Sequence, residues 1–313
     1  MILIRLLIIL FSFLASIFLN AQQSLSEEIM LKNGPIELSG TLTIPEGVVK
    51  PPLAIFIHGS GNIDRNGNQT GVSIKADYIK MLNDSLVMRG IAFFRYDKRT
   101  ANPNNRAHFT KNAVFESLVD DAKIIIEHFK KDFRFKNITV IGHSQGSLVG
   151  MLACSPAVEK YVSLAGLSET MQEAVVRQMG NQNPAIVPMV EAHFNELMAT
   201  DTIKQVNPVL LSLFHPLNHQ FIKTYNAYRP EKVIKNVEAK TLIINGDADS
   251  QVRVLDAELL FKAKPGAQLA IIPKMNHLLK EVHSAEENLA SYYKPDYPIS
   301  AQLVEILATF IKN

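Results

Sequence analysis

The chain holds one cysteine, Cys154, so no disulfide can form within it, and no second cysteine exists to build a structural zinc site. Cys154 lies in an apolar stretch of helical spacing and reads as a buried structural thiol. No block of lysines or arginines forms a basic stripe, and the formal charge is +2, which excludes a nucleic-acid partner held by its phosphates. Internal repeats and low-complexity linkers are also missing. The apolar run Leu6–Leu19 falls short of the roughly 20 residues that span a bilayer. It follows Arg5 and ends in Asn20-Ala21-Gln22-Gln23, the pattern of a secretory signal peptide over residues 1–21 with the cut near Ala21. No cysteine stands near the cut, which removes a lipoprotein. Leu19 is an imperfect residue before the cut, so a retained membrane anchor stays open. Cleavage predicts a secreted or periplasmic protein with no stable membrane insertion, and export without disulfides is compatible with either.

Residues 22–313 suffice for one large α/β domain with an insertion, or for two small domains. Glu28–Leu31 and Ile36–Ile44 predict a hairpin around Asn33-Gly34-Pro35. Leu53–Ile57 is a continuous apolar run of the kind buried on both faces of a sheet, stopped by His58-Gly59-Ser60-Gly61. Helical spacing over about 73–88, a strand over Ile91–Arg95, a helix over about 113–131 and a strand over Ile138–Ile141 then alternate. Such alternation implies parallel strands joined by right-handed crossovers. A further strand is expected at Tyr161–Leu164. From about 167 to 236 the alternation stops, and helical stretches punctuated by Asn183-Pro184, Asn207-Pro208 and His215-Pro216 predict an inserted helical cap. Thr241–Asn245, a helix over 254–262, Leu269–Ile272 and a helix over 299–311 complete the pattern.

Gly142-His143-Ser144-Gln145-Gly146 ends the strand before it and opens a helix, as in a nucleophile elbow that lifts a serine Oγ clear of its backbone. The two glycines serve a close strand–helix crossing that a Cβ would obstruct. A plain helix-capping serine is the competing reading. A serine nucleophile needs a base and an acid to orient that base, and in an open α/β sheet such groups collect at strand carboxyl ends. Two other strand ends qualify: Gly246-Asp247-Ala248-Asp249-Ser250-Gln251-Val252, and Lys274-Met275-Asn276-His277. Ser144, Asp249, His277 then stand in the chain order of that elbow. His283 lies in a charged segment and is the weaker base, His143 and His58 suit packing or bracing roles, and His215 with His219 lacks the third ligand that a metal site requires.

Together with His58-Gly59-Ser60-Gly61 and Arg95-Tyr96-Asp97-Lys98-Arg99, these motifs resemble the α/β-hydrolase superfamily, in its secreted bacterial esterase and serine-aminopeptidase-like branch. The resemblance runs from about Ile36 to the carboxyl end and implies an α/β-hydrolase fold with a mostly parallel, doubly wound sheet. By the family pattern Gly-x-x-Asp-x-x-Val it assigns the acid to Asp249, leaving Asp247 to brace its loop. It also implies an oxyanion hole from the N–H groups of Gln145 and Ser60. Relatives usually follow Asp-Lys-Arg with glycine, where this chain has Thr100-Ala101, and Arg95, Asp97 and Arg99 read as structural ion pairs. The expected activity is cleavage of a small-molecule carboxylic ester through an acyl-enzyme on Ser144, with no metal or organic cofactor. A peptidase or thioesterase of the same fold, or a binding protein that kept the fold, are the alternatives.

Overall fold

The computed structural model describes residues 24–69, 71–110 and 113–313; the expected signal segment lies outside them. One eight-stranded sheet runs through the molecule in the order β1-β2-β4-β3-β5-β6-β7-β8. The strands are β1 (Ser24–Asn33), β2 (Ile36–Pro45), β3 (Leu53–Ile57), β4 (Ala92–Tyr96), β5 (Ile138–His143), β6 (Val158–Leu164), β7 (Lys240–Gly246) and β8 (Gln268–Ile272). β1 pairs antiparallel with β2, and β2 antiparallel with β4; every pairing from β4 through β3 to β8 is parallel. The alternation of elements implies the parallel strands, and the resemblance implies this mostly parallel, doubly wound arrangement. All five residues of β3 are buried, so its unbroken apolar run reflects cover on both faces.

Two apolar layers provide that cover. Helix α1 (Tyr78–Val87) and the closing helix α8 (Ala301–Lys312) pack Ile79, Leu82, Leu86, Leu303 and Leu307 against one face. On the other lie α2 (Glu116–Lys130), α3 (Gln145–Ala153) and α7 (Val254–Ala263), with Leu118, Ile125, Phe129, Leu148 and Leu260. Helices on both faces bring the functional end of such a sheet to the carboxyl ends of its strands.

Between β6 and β7 the described elements are all helical, and α4 (Met171–Gln182), α5 (Val187–Thr200) and α6 (His219–Asn226) are the longest. They bury a small core of their own around Val190, Phe194, Leu197, Phe214 and Ile222. Each punctuating proline opens a short helical turn capped by the side chain before it. Asn183 accepts from Ala185 N at 3.2 Å, Asn207 from Val209 N at 3.0 Å and His215 Nδ1 from Leu217 N at 3.2 Å. That cap accounts for His215, and His219 is spent on the Phe214 carbonyl at 3.0 Å.

Two helices start later than their periodicity suggests. α1 begins at Tyr78, not near 73, because Asp77 is left-handed (φ 50°) and is held there by Asn68, whose side chain contacts it at 2.7 and 3.1 Å. α2 begins at Glu116, and the Phe115 N–H just before it turns instead to Thr224 Oγ1 on α6, 2.8 Å away.

Candidate active site

β5 delivers Ser144 in a conformation that side chains rarely adopt, φ 53° and ψ −122°. Its N–H bonds Leu164 O on β6 at 3.0 Å, and its carbonyl receives Ser147 N at 2.9 Å, so the neighbouring strand and the first turn of α3 hold the bend from both sides. The flanking glycines allow the crossing to be this close. A Cβ on Gly142 would collide with the Gly146 carbonyl, and one on Gly146 with the carbonyls of Ile57 and His58. Ser144 keeps partial exposure at the mouth of the bend, while Gln145 after it is buried.

The loops after β7 and β8 bring the expected acid, Asp249, and the expected base, His277, together. His277 Nδ1 donates to Asp249 Oδ2 at 2.8 Å, and the Asp249 side chain is fully buried. The other oxygen, Oδ1, accepts the backbone N–H groups of Gln251 (2.8 Å) and Val252 (2.9 Å), so the carboxylate is fixed before it meets the imidazole. Asp247 stands apart and braces the approach to His277 by accepting Lys274 N at 2.6 Å. Asn276 is completely buried; its Oδ1 accepts the N–H groups of Leu278 and Lys280, both at 3.0 Å, and shapes the loop that carries His277. His283 forms its contact with Glu281 at 3.6 Å, well exposed.

His143 adds a second support to the base. Its Nε2 donates to the His277 carbonyl at 2.9 Å, its ring lies 4.8 Å from the His277 ring, and burial holds it neutral by pushing its pKa well below the ordinary value. The sequence suggests a packing or hydrogen-bonding role for His143; the partner, the backbone of the proposed base, is visible only in three dimensions.

After β3, Gly59 lies against the elbow, where a Cβ would come within 3.1 Å of Ser144 Cβ. Ser60 follows it. The Ser60 N–H gives no hydrogen bond to another backbone carbonyl among the described residues, and Gln145 N–H, at the first position of α3, has no acceptor within its helix. His58 is buried, its ring edge-on to Tyr96 at 4.5 Å, and burial pushes its pKa down to about 3. One residue of this region had no role in the sequence reading. Lys98, at the end of β4, is buried and sends its ammonium to Gly59 O at 2.7 Å and Gln145 Oε1 at 2.8 Å. Its sequence signal is its place in the motif Arg95-Tyr96-Asp97-Lys98-Arg99, just past β4, which carried no role for the lysine itself. The charges beside it are structural: Arg99 pairs with Asp121 at 2.6 Å, Arg65 with Asp97 at 2.7 Å, and Arg95 bonds Asn66.

The helical insertion reaches the same end of the sheet. Arg177 and Gln178 on α4 donate to the Gln251 carbonyl at 3.2 and 3.0 Å, on the loop that holds Asp249. On α6, Tyr225 stacks on Phe115 at 4.4 Å, and its hydroxyl interacts with the Gln145 side chain.

Comparison with known proteins agrees with this architecture. A family profile described as serine aminopeptidase, S33 (Hydrolase_4) matches residues 71–199, which include the elbow. Esterase EstD of Thermotoga maritima is 25% identical over 262 residues, covering 82% of this chain; the chain spans about three fifths (61%) of that relative's length. Among solved structures, Est1E from Butyrivibrio proteoclasticus aligns over 91% of this chain and 98% of its own with TM-score 0.56 and 18% identity. The Pyrococcus furiosus esterase Pf2001 aligns over 92% of this chain and 90% of its own with TM-score 0.57 and 14% identity. A bromoperoxidase from Bacillus anthracis fits comparably, with TM-score 0.54, 17% identity and coverage of 92% and 100%, so the likeness of structure speaks for the fold and not for one reaction. The chain thus has the α/β-hydrolase fold, and part of its sequence resembles a serine aminopeptidase family model and an esterase.

Proposed function

We propose that this protein hydrolyses carboxylic esters through an acyl-enzyme on Ser144. The observation that carries the reading is the 2.8 Å bond from His277 Nδ1 to a fully buried Asp249 carboxylate, at the same sheet end as a serine held at positive φ between two glycines that admit no Cβ. With Nδ1 committed to Asp249, His277 Nε2 is the nitrogen left to take the Ser144 proton as Oγ attacks the ester carbonyl. The carbonyl oxygen becomes an oxyanion, which the Ser60 and Gln145 N–H groups receive. His277 then returns the proton to the departing alcohol. A water molecule, deprotonated by the same imidazole, attacks the acyl-enzyme; the acid is released as the bond to Ser144 Oγ breaks, and Oγ takes the proton back from His277. Asp249 keeps its charge throughout and stabilises the imidazolium. Likeness to a protein named an esterase favours the ester reading.

A peptidase is the second reading, favoured by the serine aminopeptidase profile over residues 71–199; the same three groups cleave amides by the same steps. In either reading the helices between β6 and β7 form the cap over the acyl site. Residues 1–21 act as an export signal that is removed near Ala21, which gives a secreted or periplasmic enzyme.

The deciding experiment compares purified protein and Ser144→Ala on a short-chain aryl ester and on the matching amino-acid amide, with fluorophosphonate labelling alongside. Ester turnover and a probe adduct on Ser144, both lost in the variant, support the proposal. Full turnover by Ser144→Ala defeats it, and preference for the amide selects the peptidase. Mass spectrometry of the mature amino terminus after expression decides between a cleaved signal and an anchor.

A further inference from the structure

Lys98 is an expensive residue. Its ammonium is taken out of water at a cost of several kcal/mol for an ion of this kind, yet it forms no ion pair among the described residues: Asp121, the carboxylate whose charge acts on it, is taken by Arg99 at 2.6 Å. Both of its hydrogen bonds go to the two segments that present the proposed oxyanion donors. Gly59 O, 2.7 Å from Nζ, belongs to the same peptide unit as the Ser60 N–H. That unit is planar and trans, so its carbonyl and N–H point in opposite directions, and fixing one aims the other. Gln145 Oε1, 2.8 Å from Nζ, belongs to the residue whose backbone N–H is the second donor.

We infer that Lys98 is a positioning residue that ties the Ser60 and Gln145 donors to each other and sets the geometry of the oxyanion hole. The inference rests on the acyl-enzyme reading above. A cation on the Gly59 carbonyl also polarises that peptide and strengthens the Ser60 N–H as a donor, since linked hydrogen bonds reinforce one another. Preorganised donors act on the transition state and not on substrate binding. The contribution of Lys98 therefore falls on kcat.

The histidine and tyrosines near Lys98 keep one charge state around neutral pH. His58 at the end of β3 is neutral, with its pKa pushed down to about 3 by burial, and burial raises those of Tyr96 on β4 and Tyr225 on α6 well beyond the ordinary tyrosine value. From α2, Asp121 is bound to Arg99. Lys98 itself is pushed down to about 7 by burial, against which Asp121 pulls upward. Loss of its proton at higher pH weakens both ties.

The test is Lys98→Met, which keeps the bulk of the stem and removes every donor, assayed on an aryl ester across pH. The expected result is a folded protein with kcat reduced about 10-fold or more and KM within about twofold of the parent. The parent should show a fall in kcat on the alkaline side as Lys98 loses its proton, and the variant should not. A folded variant with unchanged kcat, a loss confined to KM, or an alkaline limb that persists overturns the inference. Should Lys98→Met not fold, Gln145→Met cuts the tie from the other side while keeping its backbone donor. It should lower kcat by about threefold or more at constant KM, and an unchanged kcat overturns the inference equally. Turnover retained by Ser144→Ala marks the separate failure of the acyl-enzyme reading, and with it this one.

Discussion

Asp249 holds His277 with one oxygen and its own loop with the other: Oδ2 meets Nδ1 at 2.8 Å while Oδ1 accepts Gln251 N and Val252 N at 2.8 and 2.9 Å. The carboxylate has no freedom left, and the substitution Asp249→Asn shows what that implies. The amide oxygen must face the two backbone N–H groups, which leaves the NH2 facing His277. The imidazole is then forced to accept at Nδ1 and carry its proton on Nε2, the wrong tautomer for a base. Turnover should fall by about 10³ to 10⁴-fold with the melting temperature nearly kept. Asp247→Asn, tied only to Lys274 N, should lose less than about 10-fold in the same assay.

The backbone of Ser144 stores strain at φ 53°. Glycine accepts that conformation and alanine does not. Ser144→Gly should therefore be more stable than Ser144→Ala by about 1 kcal/mol, both being inactive. Urea denaturation of the pair checks this, and equal midpoints would show that the bend carries no strain.

Burial of Lys98 ties stability to pH. Its folded pKa of about 7 lies below the ordinary 10.5, so between these values the unfolded chain binds a proton that the folded chain does not. Stability should rise with pH through this window and lose that contribution as pH falls toward 7. Melting temperatures from pH 7 to 10 should show this slope in the parent and a flatter one in Lys98→Met; parallel slopes would remove Lys98 as its source.

Arg177 joins the helical insertion to the acid loop through Gln251 O at 3.2 Å and to Glu169 at 2.6 Å, with both side chains largely buried. Truncation in Arg177→Ala leaves Glu169 with Arg253 alone, and should cost about 1–3 kcal/mol in chemical denaturation. A smaller drop in kcat should accompany it, because Gln251 N also holds Asp249.

The elements that position the site are legible in the sequence because each is a local pattern. The unbroken run of β3, the two glycines around Ser144 and the acidic and histidine-bearing strand ends all follow from the burial or sterics of neighbours in the chain. Lys98 is not legible in this way. A lysine flanked by Asp97 and Arg99 normally reaches water, and only the approach of Gly59 and Gln145, 39 and 47 residues away, makes it a buried donor. The starts of α1 and α2 escape for the same reason, since Asn68 and Thr224 decide them from outside the helix. His143 is intermediate: its burial beside the elbow is local, its partner 134 residues distant is not.

That last separation bears on when the proposed site is assembled. The chain emerges from the ribosome with the elbow first, and the base that His143 supports follows 134 residues later. Strands before β8 can pair and bury their apolar faces in the meantime, but the parallel pairings between distant segments form slowly. The proposed hydrolytic activity needs both ends of this separation in place, and so should be gained late in folding. Its return after dilution from denaturant should lag behind the recovery of secondary structure, so that turnover clocks the closing of the sheet.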